Sequence, residues 1–327
     1  MKIVPRRSIP CLAAKTHEIE TTKDSNRGQE YLIFPENSVT GKISSGGKLV
    51  QDLIAFQESE PEASKIPLLF TCSPLGSRVN GIIGLGRTRT SLASQIFFSF
   101  NSQRKFTLCL SSSSGAVLFG NMAAENFRSL TFTPLLTNQN QKHPSSEYFI
   151  NINSIKINGK KLSISSILQS NDHGRARLST TVSYTTMESS IYATLEKAYA
   201  QAAMAMNMTQ VAPVSPFGLC FSSEGIESSK SGPNVPVIDL VLQSEMVKWR
   251  INDRNSMVRV NSEVMCLGFL DGGLKLRDPI VLGAYQMEDV VLQFDLETSM
   301  LGFSSSLLIR DSSCSDFRFC SMPKESF

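Results

Sequence analysis

Two stretches, one in each half of a 327-residue chain, carry apolar residues straight into glycine, and they limit the possible folds more than any other feature. In the first, Gly81–Gln95 (GIIGLGRTRTSLASQ), Ile82 and Ile83 are expected as a buried apolar pair running into Gly84-Leu85-Gly86. Arg87-Thr88-Arg89-Thr90-Ser91 follows as a basic, hydroxyl-rich turn, and a short helix starts near Leu92. An apolar run bounded by glycines predicts a strand through the middle of a fold. Glycine there lets another backbone approach, and Thr90 or Ser91 can accept from the first helical N–H groups. Alone, this is an ordinary strand–turn–helix. The second stretch, Pro279–Phe303, repeats it with Ile280-Val281-Leu282-Gly283. Val290–Asp295 and Met300–Phe303, around the turn Glu297-Thr298-Ser299, then read as a hairpin.

The remainder also reads mainly as β. From Tyr31, YLIFPENSVTGKISSGGKLVQDLIAFQ alternates apolar and polar residues around Gly46-Gly47, a hairpin pattern. Glu58–Ser64 is a loop, and Leu68–Cys72, Lys105–Leu110 and Gly115–Gly120 are strands. Glu147–Ile157 (EYFININSIKI) predicts one strand, Asn158-Gly159 a hairpin turn, and Lys161–Ile164 the return strand. The longest helix is Ser189–Met206, with Ile191, Leu195, Ala198 and Ala202 on its buried face and Ser189 or Ser190 as cap. Met204, Met206 and Met208 at its end are gap-fillers rather than metal ligands, since no soft-ligand cluster joins them.

Charge and cysteine usage narrow the function classes. A net charge of +3 is too small to imply a nucleic-acid partner, and Lys and Arg are scattered without a basic stripe. No apolar run approaches the length of a membrane span. Seven cysteines (Cys11, Cys72, Cys109, Cys220, Cys266, Cys314, Cys320) include no CxxC pair, which argues against zinc and thioredoxin-like readings. Their number fits an oxidising compartment, and being odd it leaves at least one thiol over. Asn207-Met208-Thr209 is the only N-glycosylation sequon. The opening MKIVPRRSIPCLAAKTHEIE has no continuous apolar core and does not read as a signal peptide. No cofactor and no metal are expected.

Two apolar–apolar–glycine strands in the two halves of a β-rich chain resemble the pseudo-symmetric lobes of pepsin-like aspartic proteinases. The strings GLGRTRTSLASQ, PSSEYFININSIKING, VPVIDLVLQSEMVKWRINDRNSMV, CLGF and QMEDVVLQFDLETSMLGF, in that order over roughly Tyr31 to Phe317, resemble one plant branch of that fold. It holds the cereal xylanase inhibitors, extracellular dermal glycoproteins, xyloglucanase inhibitors and basic 7S globulins. The resemblance implies a mainly β, bilobal pepsin-like fold. Residues 1–30 are unplaced, 31–135 form an N-terminal lobe, and 136–327 form a C-terminal lobe of xylanase-inhibitor type. The matching sequence starts after the strands that open such a lobe, so the first lobe is expected to be truncated at its N-terminus, through a truncated or misassembled gene model. Missing strands would leave backbone groups unpaired.

Aspartic proteinases need two carboxylates about 3 Å apart sharing one proton, one acting on water and one polarising the carbonyl. Each stands in an Asp-Thr/Ser-Gly turn. No Asp in this chain is followed by Thr-Gly or Ser-Gly, and Asp271-Gly272-Gly273 reads only as a turn. The resemblance puts the second catalytic position in Leu178-Ser179-Thr180-Thr181-Val182-Ser183-Tyr184-Thr185, with Ser179 where Asp would be and Thr181 where Gly would be. A serine cannot act as an aspartate base. The histidines His17, His143 and His173 provide no convincing triad. The expectation is a scaffold without catalysis, used for binding.

In cereal xylanase inhibitors a His four residues before a near-terminal Cys enters the xylanase active site. The matching Cys here is Cys314, so the position is Arg310, either a bidentate donor to a carboxylate dyad or a solvated loop residue. The resemblance also implies disulfides Cys220–Cys266 and Cys109–Cys314, and leaves Cys11, Cys72 and Cys320 open. The expected function is binding and inhibition of a glycoside hydrolase of xylanase or xyloglucanase type, in the extracellular space or apoplast, without nucleic-acid or membrane partners. The alternatives are an aspartic endopeptidase and a storage or peptide-binding 7S-like globulin. Oligomeric state is left open.

Overall fold

The computed structural model describes residues 2–3, 32–33, 47–55, 65–72, 82–120, 130–136, 146–164, 168, 174–229, 232–274 and 276–316. The loop Glu58–Ser64, Gly46, Cys11, Cys320, His17, His143 and His173 lie outside them. The chain divides into two compact units: Met1–Arg104 with Asn138–Ser146 and Phe319–Phe327, and Lys105–Thr137 with Glu147–Arg318.

In the first unit, β3 (Gly47–Ala55) pairs along its length with β4 (Lys65–Cys72), and on it also pair β1 (Lys2–Ile3) and β2 (Leu32–Ile33). Lys2–Ile3, in the segment the sequence left unplaced, is thus part of the sheet. Ile66 and Leu68 of β4 alternate inward. Helix α1 (Leu92–Phe100) starts at Ser91, whose Oγ accepts the Ser94 N–H, so Ser91 rather than Thr90 is the cap. It buries Ala93, Ile96 and Phe97. Gln95 ties α1 to β4, accepting from Leu69 N–H at 2.7 Å and donating to Leu69 C=O at 3.0 Å.

The expected buried strand at Ile82–Ile83 does not form: the two side chains are 53% and 67% exposed. The Leu92 N–H donates to Gly84 C=O at 2.8 Å, which ties this segment to the helix start, and no described strand flanks it. The close backbone approach falls at Gly86, where a Cβ would lie 2.6 Å from the Ser146 carbonyl oxygen, and not at Gly84, which has open space.

The second unit holds the remaining sheets. One joins distant parts of the chain: β5 (Lys105–Leu110), β6 (Gly115–Phe119), β7 (Thr131–Pro134), β23 (Val291–Asp295) and β24 (Met300–Phe303), in the order β6-β5-β23-β24-β7. Here the hairpin read from 290–303 is present. β5 pairs with β23 from Cys109↔Val291 to Lys105↔Asp295 and β7 pairs with β24, so β5, β6 and β7 belong to the second unit. Phe106 stacks on Phe294 with ring centroids 4.7 Å apart.

A second sheet contains β8 (Tyr148–Asn151), β11 (Arg175–Leu178), β12 (Thr185–Met187), β21 (Phe269–Asp271) and β22 (Ile280–Leu282), in the order β21-β12-β22-β11-β8. A third contains β9 (Ser154–Ile157), β10 (Lys160–Lys161), β17 (Ile238–Ser244) and β18 (Val247–Ile251), in the order β10-β9-β17-β18. A fourth is β13 (Gln210–Val211), β14 (Cys220–Ser222), β20 (Val264–Leu267) and β19 (Met257–Arg259), and β15 (Ser228–Ser229) pairs with β16 (Gly232–Pro233).

Three local expectations are corrected. The single strand over Glu147–Ile157 is two strands in different sheets, because the Ile152 and Asn153 N–H groups bond to Gly174 and Val241 carbonyls respectively. The return strand after the turn shrinks to Lys160–Lys161, although Asn158 and Gly159 do adopt the left-handed φ values, 47° and 78°, of a tight hairpin turn. Helix α2 (Ser189–Ala205) is capped by the Glu188 carboxylate, which accepts from Ser190 N–H. Its buried stripe is Ile191, Tyr192, Leu195, Tyr199 and Ala203, while Ala198 and Ala202 are only partly covered, since the two tyrosines draw the buried face toward themselves.

Candidate degenerate active-site loop

The chain leaves β11 at Leu178, loops through 179–184 and returns as β12, with β22 inserted between the two. β22 runs parallel to β11, with Leu178 facing Leu282, and antiparallel to β12, with Thr186 facing Val281. This crowding requires Gly283: a Cβ there would stand 2.4 Å from the Tyr184 carbonyl carbon and 2.7 Å from the Thr185 nitrogen.

Ser179 is buried at the head of the loop. Its N–H donates to Leu282 C=O at 3.0 Å, and its Oγ lies 3.0 Å from Thr181 Oγ1 in a hydrogen bond. Thr180 and Ser183 are exposed. The structure therefore brings Ser179 and Thr181 together as a hydroxyl pair, and Leu178–Thr185 contains no carboxylate. Two neutral hydroxyls offer donors and acceptors but no general base.

Beneath the loop is a buried polar network that sequence reasoning missed. Helix α3 (Asp253–Ser256) and helix α4 (Ala284–Met287) supply Asn255 and Gln286. Gln286, 1% exposed, accepts from both the N–H and the hydroxyl of Thr185 at 2.8 Å, and donates to Asn255 and Gly268 carbonyls at 2.9 Å. Thr185 Oγ1 in turn accepts from Gly283 N–H at 3.1 Å, and Asn255 Nδ2 donates to Tyr285 C=O at 2.6 Å. The only signal for it in the sequence was Gln286 itself, set between Tyr285 and Met287. Tyr184 packs edge-on against Phe217 and Tyr285, at 4.9 and 5.5 Å between centroids. Arg177 on β11 pairs with Glu147 at 3.0 Å and Asp278 at 2.9 Å.

Two carboxylates beside the network are held above the usual range, both chiefly by burial: Asp253, and Glu288, to which the neighbouring Asp289 charge adds. A raised folded-state pKa means that the fold binds that proton more tightly than the unfolded chain. The stabilisation is fully present below the unfolded pKa and is lost as pH rises through the folded value. Glu288→Gln is therefore expected to raise the melting temperature at neutral pH and to leave it unchanged below about pH 4. Thermal melts of the two proteins across that range check this. Asp271 behaves as a turn residue, as read: its Oδ1 accepts from Ser189 Oγ and Gly273 N–H, and the Ser189 bond first of all holds its carboxyl low.

Arg310 ends a short 3-10 helix, Leu307–Arg310, and is exposed, next to Ile309 at 62% exposure. That segment is fastened at both sides. The Leu307 N–H donates to Asp289 C=O at 2.8 Å, while Asp289 Oδ1 accepts from Ser313 Oγ and Cys314 N–H at 2.8 and 2.9 Å. Cys314 is disulfide-bonded to Cys109, with 5.3 Å between Cα atoms. Cys220 and Cys266 face each other on β14 and β20 and form the second disulfide. Cys72 is exposed at the end of β4. Asn207, exposed with φ 60°, follows the C-terminus of α2.

The inserted strand, the close glycine and the loop between β11 and β12 fit a pepsin-like lobe. The family models described as Xylanase inhibitor N-terminal and Xylanase inhibitor C-terminal match residues 1–121 and 147–305, and the chain belongs to this xylanase-inhibitor-type family. It is 42% identical over 321 residues to Probable aspartic proteinase GIP2 of Nicotiana benthamiana, covering 89% of this chain and 72% of that one. It is 41% identical over 276 residues to Probable aspartic proteinase GIP1 of Glycine max, covering 76% of this chain and 65% of that one. Gamma conglutin 1 of Prunus dulcis is 36% identical over 339 residues, with 95% and 76% covered. Among solved structures, the crystal structure of edgp is similar with TM-score 0.84 and 38% identity, covering 97% of this chain and 85% of that one. Basic 7S globulin from soybean gives TM-score 0.78 at 30% identity, with the same coverage.

Proposed function

We propose that this protein is a non-catalytic pepsin-like binder that docks on a glycoside hydrolase and inhibits it. The observation that carries the reading is Ser179, hydrogen-bonded to Thr181, at the position where a proteinase needs a carboxylate. The family descriptions, which name xylanase inhibition, support the choice of partner. Arg310, on its fastened and exposed segment, is the proposed contact for the partner's catalytic carboxylates. The proposed setting is extracellular, consistent with the two disulfides, and Asn207 is the proposed glycan acceptor.

The test is inhibition of a panel of xylanases and xyloglucan-specific hydrolases by the folded protein, with acid proteolysis of a denatured substrate as the second arm. The expected result is inhibition of at least one hydrolase and no pepstatin-sensitive cleavage. Ser179→Ala leaves inhibition unchanged, and Arg310→Ala weakens it by about tenfold or more. Pepstatin-sensitive cleavage would establish the peptidase reading instead. A second reading, a storage or peptide-binding globulin, is favoured by the conglutin and 7S globulin relatives. Abundant seed accumulation without inhibition of any hydrolase would select it.

A further inference from the structure

One face of the sheet β10-β9-β17-β18 turns Ile155, Ile157, Leu240 and Trp249 inward, while on the other Asp239 and Val241 of β17 are buried too and Lys156, Lys248 and Arg250 reach the surface. On that second face the register lines up charges that lie far apart in sequence. Lys161 stands opposite Lys156, Lys156 opposite Asp239, and Asp239 opposite Arg250, one residue per strand, about 4.8 Å apart. Lys248 follows on the same face, opposite Val241. The scattered cations of the sequence are thus a basic row in space.

Only two carboxylates answer these four cations on this face. Asp239 accepts from Arg250 at 2.8 and 3.2 Å and lies 3.5 Å from Lys248. Glu245 accepts from Lys156, and that hydrogen bond, with the charges of Lys156, Lys161 and Lys248, holds its carboxyl below the usual range. Asp253, just beyond β18, also acts on Arg250. Lys161 has no ion pair among the described residues, and a like-charged residue directly opposite is destabilising.

We propose that this face is a docking surface for a linear anionic polysaccharide, laid across the strands with its acid groups against Lys161, Lys156 and Lys248. Charge complementarity selects a polyanion, and the row suits an extended chain rather than a compact ligand. Among the described strand positions of this face none is aromatic, so bases have nothing to stack on, and the one guanidinium fork is already occupied by Asp239. A nucleic acid therefore fits less well.

The test is retention of the whole chain on immobilised polygalacturonate, dextran sulfate and neutral dextran over a salt series. Retention on the acidic polymers, weakening with salt, and none on neutral dextran is expected. The polygalacturonate and dextran sulfate arms separate carboxylate from sulfate as the acid group. Lys161→Glu/Lys248→Glu should bind about tenfold more weakly, and Glu245→Gln, which frees Lys156, more tightly. Lys161→Glu alone should keep or raise the melting temperature while weakening retention, which separates lost binding from lost fold. Unchanged retention of the double variant, no retention of the parent protein, or tighter binding to single-stranded DNA or to phosphatidylserine vesicles would overturn the proposal.

Discussion

Gln286→Ala is expected to lower the unfolding free energy by roughly 3–5 kcal/mol. The side chain makes four hydrogen bonds at a site 1% exposed, and its loss strands the Thr185 N–H and hydroxyl and the Asn255 and Gly268 carbonyls. Each buried polar group left without a partner costs about 1–3 kcal/mol, and some of this is recovered if water enters the space. The sole tryptophan, Trp249, buried in the second unit and stacked on Phe303 at 5.3 Å, is a ready fluorescence probe for denaturant unfolding. A loss below about 1 kcal/mol would mean that the loop from Ser179 to Tyr184 is held by β22 alone. Gln286→Glu keeps the acceptor and loses both donated bonds, so it should be at least as damaging at neutral pH, where the buried carboxylate is charged.

Removal of the disulfides is expected to have effects of similar size but in a fixed order. Cys109 and Cys314 are separated by 205 residues, Cys220 and Cys266 by 46. On the chain-entropy account, cross-links of these lengths restrict the unfolded state by about 5 and about 4 kcal/mol respectively. Cys109→Ser/Cys314→Ser should therefore destabilise more than Cys220→Ser/Cys266→Ser in parallel denaturation curves. The reverse order would show that native-state packing around Cys220 and Cys266, which join Phe217 in one buried cluster, outweighs the loop-length effect.

Much of the fold was legible where a local rule and a tertiary contact agree. Asn158-Gly159 marks its turn because Asn-Gly is among the few pairs that readily adopt two left-handed conformations in succession. Gly283 marks a backbone crossing, and the cysteine pairs followed from resemblance. Ile82–Ile83 misled because an apolar pair states a preference for burial and not the presence of a cover. The break between β8 and β9 was overlooked although the apolar phase slips by one residue there, from Ile150 and Ile152 to Ile155 and Ile157, where the hydrogen-bond partners change. The Gln286 network and the basic row were unreadable for another reason. Each assembles residues tens to a hundred positions apart, and only register and packing join them. The hydrogen bond between Ser179 and Thr181 likewise needed the loop itself.

The pairing of β5 with β23 has a consequence for how the chain is made. Cys109 meets Val291 only after about 180 further residues have been synthesised. At about 5–20 residues per second that is a delay of roughly 10–40 s, during which the β5–β6 hairpin has no partner on its β5 edge. Phe106 and Leu108, nearly inaccessible in the finished sheet, are uncovered throughout that interval. The nascent chain thus presents an open, apolar strand edge for far longer than a hairpin takes to form, which makes β5 the segment where chaperone capture or misassembly begins.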